Sequence, residues 1–334
     1  SYDDSGVTGH LSAYVLEAGE YLFYAGTDVR SASIVGTFEI KETLVVEQCT
    51  AALSPNLSFD RLYPKMTAEG YVPSYRPVTT RNYDLWERIV SARPADIPYT
   101  GDKGYQLVDV RNGKVSMVDF VAQMTKEELS HLLRGEGLCS LKVTAGTAGA
   151  FGGVTKRLKE FGIPVGCCAD GPSGIRMDVG TIAFSLPNGT CIASSFNEVL
   201  SEELFEMLGI ELRKNKIDML LGPGMNLHRN PLNGRNFEYF SEDPILTGKM
   251  ACAQLRGMHK HHVTGTIKHF IANHQEHRRT FVNDVISERA IRELYLKGFE
   301  IAVKEGHAYS IMSTYGPVNG LYTASNYDLL TQVL

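Results

Sequence analysis

The chain has 334 residues, of which 43% are hydrophobic, 21% charged and 9% aromatic, a balance that excludes long disorder, collagen and coiled coil and predicts a globular protein of about two or three domains. Its 33 basic and 38 acidic residues leave a net charge of -5, which supplies no general attraction for nucleic acid or anionic lipid, so neither partner is expected. No apolar run approaches the roughly 20 residues that cross a bilayer, and no membrane association is expected.

The six cysteines, Cys49, Cys139, Cys167, Cys168, Cys191 and Cys252, contain no C-x-x-C pair. Vicinal Cys167 and Cys168 bridge to each other only with strain, so a reducing, cytoplasmic compartment is the simpler expectation. The start SYDDSGVTGH has neither the basic nor the apolar region of a signal peptide, and it opens on Ser rather than Met, which reads as a processing boundary.

In chain order, the runs HLSAYVL, GEYLFYAG and ASIVGTFEI within residues 10–53 predict strands, because Tyr, Phe, Val and Ile alternate there between Gly, Asp, Ser and Thr. They make too few strands for a whole sandwich, and residues 1–55 are read as the last part of a β-domain. Residues 56–113 carry Pro64, Pro73, Pro77, Pro94 and Pro98. Prolines this dense break regular elements, so a proline-rich connector is expected, with one helical patch at Asp84–Val90.

From residue 114 to 334 helices alternate with short apolar runs. Thr125 and Glu128 form one capping box and Ser195 and Glu198 another, while Asp243 before Pro244 and Ser287 open two further helices, the last reaching Gly306. Between them lie IPVGCCA (163–169), DMLLG (218–222), TGTIKHF (264–270) and YSIMSTY (309–315), strand-sized and nearly continuous as buried parallel strands are. The alternation predicts a parallel α/β domain, either a barrel or a doubly wound sheet.

Polar residues follow each of these strands at once: DGPSGIR, PGMNLHRNPLNGRNFEYFSEDP, NHQEHRR and TYGPVNG. In a barrel such loops share one face, and an inventory of Asp, Arg, Lys, His, Asn and Tyr without a phosphate-cradling glycine motif suits a polyhydroxylated ligand. Blander readings stand beside this one. Asp170 could simply cap the turn at Gly171-Pro172. Glu238, Glu242 and Asp243 suit a loop-stabilising ion network, and Glu276 an ion pair with Arg278 or Arg279. Six of the ten histidines fall between His259 and His277, but without a companion cysteine they are not read as a metal site. AGTAGAFGG (145–153) fits neither nucleotide-binding glycine pattern and is read as a loop, and Cys167 and Cys168 as packing residues.

The runs ADGPSGIR (169–176), LGPGMNLHRNPLNGRNFEYFSEDP (221–244), KHFIANHQEHRR (268–279), SERAIRELYLKGFEIAVKEG (287–306) and MSTYGPVNG (312–320) together resemble the barrel domain of glycoside hydrolase family 3, in its β-glucosidase branch. The resemblance implies a (β/α)8 TIM-type barrel, incomplete at its C-terminus, preceded by part of a fibronectin type III-like β-sandwich, the order of the domain-permuted members. It implies that Asp170 grips the outer hydroxyls of a sugar, that Arg235, Lys268, His269 and Arg279 bind its other hydroxyls, that Arg176 lines the same wall, and that Tyr315 stands near the nucleophile. KHFIANHQEH departs from the K-H-F/P-G-D-G signature of the hexosaminidase branch.

Retaining glycosidases need two carboxylates about 5 to 5.5 Å apart. The family's nucleophile, an Asp in an S/T-D-W type motif, is expected beyond Leu334, and its acid/base Glu belongs to an α/β sandwich domain not represented in the sequence. The implied function is therefore a retaining exo-β-glycosidase, a β-glucosidase acting on a β-glucoside or short β-gluco-oligosaccharide. This chain would supply the sugar-binding wall, with no cofactor and no metal, and the remaining part of the enzyme, in the same or a separate chain, would complete it. A homo-oligomer is compatible with this reading, and a non-catalytic carbohydrate-binding module is the alternative.

Overall fold

Runs of β-branched and aromatic residues fold the N-terminal stretch into strands. In the computed structural model, which describes residues 1–334, β1 (Tyr2–Asp3) and β2 (Ala13–Leu16) pair antiparallel, β3 (Gly19–Ala25) and β4 (Ser33–Ile40) form a separate ribbon, and β5 (Leu44–Gln48) returns beside β2. Two units emerge: Ser1–Asp84 with Thr280–Leu296 and Gly316–Leu334, and Leu85–Arg279 with Lys297–Tyr315.

The proline-rich stretch corrects an expectation. Residues 60–77 form a β-hairpin, β6 (Asp60–Thr67) against β7 (Gly70–Pro77), with Pro64 directly opposite Pro73. A two-stranded ribbon consists of two edges, and proline is tolerated on an edge because its missing N–H can face outward. The helical patch expected at Asp84–Val90 forms as Leu85–Ser91.

The first unit is tied together by Glu288, only 2% exposed. Its carboxylate accepts from the Tyr2 hydroxyl (3.1 Å), the Ala52 and Leu53 amides (3.2 Å each), the Ser54 hydroxyl (3.0 Å) and Arg292 Nε (2.9 Å). Ser287 caps the short helix Glu288–Ala290, and a π turn at Ile291–Tyr295 follows, closed by Leu296 N donating to Ile291 O at 2.8 Å. The single regular helix expected from Ser287 is therefore interrupted, and its regular α-helical part is Lys297–Lys304.

The second unit contains a five-stranded sheet. β9 (Val165–Asp170), β10 (Met219–Leu221), β11 (Thr264–Phe270) and β12 (Ser310–Ser313) run parallel in that order, and β8 (Gly149–Gly152) pairs antiparallel with the outer edge of β9. This is a half-barrel sheet of the α/β class. β8 falls in the glycine-rich stretch expected as a loop. Backbone pairing wins there because a side chain on Gly149 would strike the Glu136 carbonyl at 2.5 Å, and the Phe151 ring lies over Gly166.

Helices flank this sheet. Thr125 and Glu128 form the expected capping box of Lys126–Arg134. The helix Glu198–Lys214 is capped by Asn197 and not by Ser195, whose hydroxyl instead donates to Ile192 O at 2.6 Å in the turn before it. Asp243 caps Pro244–His259 through the amides of Ile245 and Leu246. Phe205, Leu208, Leu212, Leu255 and Met258 are fully buried along these two helices, each contributing about 1.5 to 3 kcal/mol on burial. Their close approach needs Gly257, where a Cβ would lie 2.4 Å from Glu202 O.

Candidate functional site

Asp170 is the last residue of β9, and the turn after it explains its placement. Gly171, at φ +116°, lets Gly174 N reach Gly171 O at 3.1 Å, and the Gly171 amide donates to Asp170 Oδ1 at 2.9 Å. The turn-capping role is thus real, but Oδ1 also accepts from Lys268 Nζ at 3.0 Å. Lys268 comes from β11, where the pairing register with β12 shifts between Lys268 and Phe270. Strand residues normally alternate between faces. The shift accompanies an arrangement in which consecutive Lys268 and His269 both join one polar cluster.

Lys268 Nζ also lies 3.6 Å from Glu238 Oε2, and the other Glu238 oxygen accepts from Arg235 Nε. Arg235 and Glu238 face each other because the 3-10 turn Asn236–Glu238 brings residues three apart to one side. Arg235 Nη2 reaches His269 Nε2 at 2.9 Å. A guanidinium only donates, so Nε2 accepts and the ring proton sits on Nδ1, 3.2 Å from Asn226 Oδ1. Burial, reinforced by Arg235, Lys268 and Arg279, pushes the His269 imidazole down to about 2. It is a neutral, fixed acceptor and not an acid or base at ordinary pH.

Behind His269 the network continues. Asn226 Nδ2 donates to the carbonyls of His269 (2.8 Å) and Ile271 (3.0 Å). Tyr239 OH lies 3.3 Å from His269 Nδ1 and accepts from Asn273 Nδ2 at 2.8 Å. Asn273 also donates to Glu276, whose other oxygen accepts from Arg279 at 2.8 Å. The Arg279 guanidinium lies 4.3 Å over the Tyr315 ring, and that ring stacks on His269 at 6.4 Å. Burial pushes the Tyr239 hydroxyl up, so it stays protonated.

Of the sequence-predicted residues, Asp170, Arg235, Lys268, His269, Arg279 and Tyr315 thus form one contiguous set with Glu238. Arg176 stands apart: its guanidinium pairs with Asp178 at 2.8 Å, and only its backbone amide touches Asp170 O, at 2.9 Å. Glu276 makes the ion pair expected of it, with Arg279. Asn226, Tyr239 and Asn273 were not singled out in the sequence, since nothing in GMNL, FEYF or IANH announces partners 30 or more residues away.

The set opens on a cup of about 280 Å³ lined by Asp170, Pro172, Arg235, Phe237, Glu238 and Lys268, among others. That is close to the lower end of small-ligand pockets, roughly 300 Å³. Burial raises the Asp170 carboxyl, but the Lys268 ammonium, joined by the Gly171 amide and the Arg176 charge, outweighs it and holds the group below its usual range. Asp170 therefore offers a half-exposed carboxylate beside a buried ammonium and a partly buried guanidinium. Such a trio binds vicinal hydroxyls, which donate to the carboxylate and accept from the cations. In a larger depression of about 500 Å³ near Phe196 and Ile245, Asp243 caps a helix, Lys249 pairs with Glu305 and Glu198 with Arg256.

The remaining candidates disperse. No group of three or more His, Cys, Asp and Glu residues could hold a metal, and His259 instead contacts Thr264 Oγ1 at 2.9 Å. All six cysteines are free. Burial pushes the Cys168 thiol up, as suits a packing residue.

Residues 99–334 match the family described as Glycosyl hydrolase family 3 N terminal domain, and the chain belongs to that family. Over its full length it is 59% identical to a beta-glucosidase of Ruminococcus albus, of which it covers 35%. It is 36% identical to Beta-glucosidase A of Butyrivibrio fibrisolvens, of which it covers 42%. The crystal structure of a beta-glucosidase from Paenibacillus barengoltzii, 53% identical, matches 100% of this chain with a TM-score of 0.95, over 37% of its own length. Beta-glucosidase 3B from Thermotoga neapolitana in complex with glucose, 43% identical, matches 65% of this chain and 31% of its own, with a TM-score of 0.60. The chain spans between 31% and 42% of the length of these relatives.

Proposed function

We propose that the chain forms the sugar-binding wall of a retaining exo-β-glycosidase, a β-glucosidase that releases terminal β-D-glucosyl residues. The observation that carries this reading is the unbroken run of contacts Asp170–Lys268–Glu238–Arg235–His269 beside an open cup. The names of the relatives support it, as does the glucose bound to the Thermotoga neapolitana protein.

In this reading Asp170 takes the outer hydroxyls of the sugar and Lys268, Arg235, His269 and Arg279 fix the others. These contacts hold the ring for double displacement and favour its distortion toward an oxocarbenium-like state. Tyr315, 47% exposed, stands beside the nucleophile. The nucleophilic Asp and the acid/base Glu come from polypeptide outside residues 1–334, the first completing the (β/α)8 barrel and the second in an α/β sandwich. β1–β5 belong to the end of a fibronectin type III-like domain that precedes the barrel, as in domain-permuted members, and the six free thiols support a cytoplasmic location.

The test is D170N in the intact enzyme against an aryl β-glucoside. Its kcat/KM should fall by about a thousandfold or more with the thermal midpoint retained, because a charged contact that the sugar keeps from the ground state through the transition state is lost. Turnover within about tenfold of the wild type would reject the assigned role. Chelator treatment should leave the rate unchanged, and loss of activity restored by a divalent metal would overturn the metal-free reading.

A further inference from the structure

Glu238 is the most buried anion of the cup and the one with two cations on it. Its side chain is 6% exposed, against 39% for Asp170. One oxygen accepts from Arg235 Nε and the other faces Lys268 Nζ at 3.6 Å. Its backbone is pinned as well: a Cβ on Gly189 would meet Glu238 O at 2.8 Å and one on Gly224 at 2.9 Å, so the turn that carries it is wedged between two glycines. The carboxylate therefore has little freedom to turn toward solvent.

Lys268 is 4% exposed along its side chain and needs anionic compensation. Asp170 and Glu238 both supply it, but unequally. Asp170 Oδ1 already accepts from Gly171 N and Lys268 Nζ, and Oδ2 carries neither bond. With Lys268 and Arg235 against Asp170 and Glu238, the four charges balance. Removing the charge of Glu238 leaves buried Lys268 and partly buried Arg235 with one partly exposed anion, and Asp170 would be drawn into serving both.

We propose that Glu238 is a positioning residue: it is the resident counter-ion of Lys268 and Arg235, and by satisfying them it keeps the outer carboxylate oxygen of Asp170 available to the substrate's hydroxyls. This deepens the sugar-binding reading and rests on it for its kinetic consequence. The substrate of an enzyme lacking the Glu238 charge must compete with two cations for Asp170. The loss then falls on binding common to ground and transition states, which raises KM and leaves kcat nearly untouched.

The experiment uses the intact enzyme, with E238Q as an isosteric variant and E238D as one whose shorter carboxylate reaches one cation but not both. For E238Q, KM for an aryl β-glucoside and the inhibition constant for glucose should rise together by about tenfold, with kcat within about threefold and the thermal midpoint within a few degrees. E238D should fall between E238Q and the wild type. A crystal structure of sugar-free E238Q should show Lys268 or Arg235 within about 3 Å of Asp170 Oδ2. Unchanged KM and glucose inhibition, or kcat falling in step with a collapsed thermal midpoint in both variants, would overturn the proposal. So would an Asp170 environment in the E238Q crystal identical to the wild type. That crystal decides the matter without any sugar, whereas a wild-type enzyme inactive on every β-glucoside would reject only the functional reading above.

Discussion

Two carboxylates organise this molecule, one buried and one half-exposed, and they differ in what they leave over. Glu288 in the first unit has both oxygens filled by two amides, two hydroxyls and Arg292, and it is 2% exposed. Asp170 in the second unit shares Lys268 with Glu238, has one oxygen outside those bonds and stands 39% exposed beside a cup. The ingredients are the same, acid, base and amide. A saturated cluster holds the chain together, while an unsaturated one that opens to solvent retains the capacity to bind.

That contrast predicts opposite phenotypes. Asp170 variants should cost activity and little stability, and Glu288 variants the reverse. E288A strands Arg292 in a buried position and should destabilise by about 3 to 5 kcal/mol, measured by urea unfolding, because breaking a buried pair leaves an uncompensated charge. A loss under about 1 kcal/mol would break the comparison. G257A should cost less, about 1 to 3 kcal/mol, since a Cβ 2.4 Å from Glu202 O forces the two helices apart.

Acid sharpens the comparison by a smaller amount. Burial pushes His269 down to about 2 and His274 to about 4, and unfolded imidazoles titrate near about 6.5. Below about pH 6.5 the unfolded chain takes up protons that these folded imidazoles refuse, so their contribution to stability is full above that pH and declines as the pH falls. Asp284, pushed up to about 6 by burial, opposes this by one proton, because its folded carboxyl keeps a proton that the unfolded one loses. H269Q should therefore flatten the fall in thermal midpoint between about pH 6.5 and 4.5, and an unaltered slope would contradict a neutral, buried His269. The smallest effect is expected of R176A. Its guanidinium is engaged by Asp178, and kcat/KM should drop only about twofold to threefold, as for an exposed charge near a site.

Much of this was legible in the sequence, for identifiable reasons. The runs at 163–169, 218–222, 264–270 and 309–315 are nearly continuous and apolar, as parallel strands inside an α/β unit are, with β9 and β11 buried on both faces and β12 half-buried. Asp170, Lys268 and His269 stood out because chargeable residues at strand ends are conspicuous, and Arg235 stood out through the run that resembles the family. What stayed hidden depended on pairing at a distance. The hairpin of β6 and β7 reads as broken chain until Pro64 is seen on an edge, and Ser195 looks as good a cap as Asn197 until the preceding turn claims its hydroxyl. Asn226, Tyr239 and Asn273 are ordinary polar residues in sequence. Only the fold brings them behind His269.

The most direct measurement is a crystal structure of the intact enzyme soaked with glucose. The account predicts a pyranose in the cup, with Asp170 Oδ2, Lys268 Nζ and Arg235 each within about 3.2 Å of a sugar oxygen. A fully occupied glucose bound elsewhere, with Asp170 untouched, would contradict it.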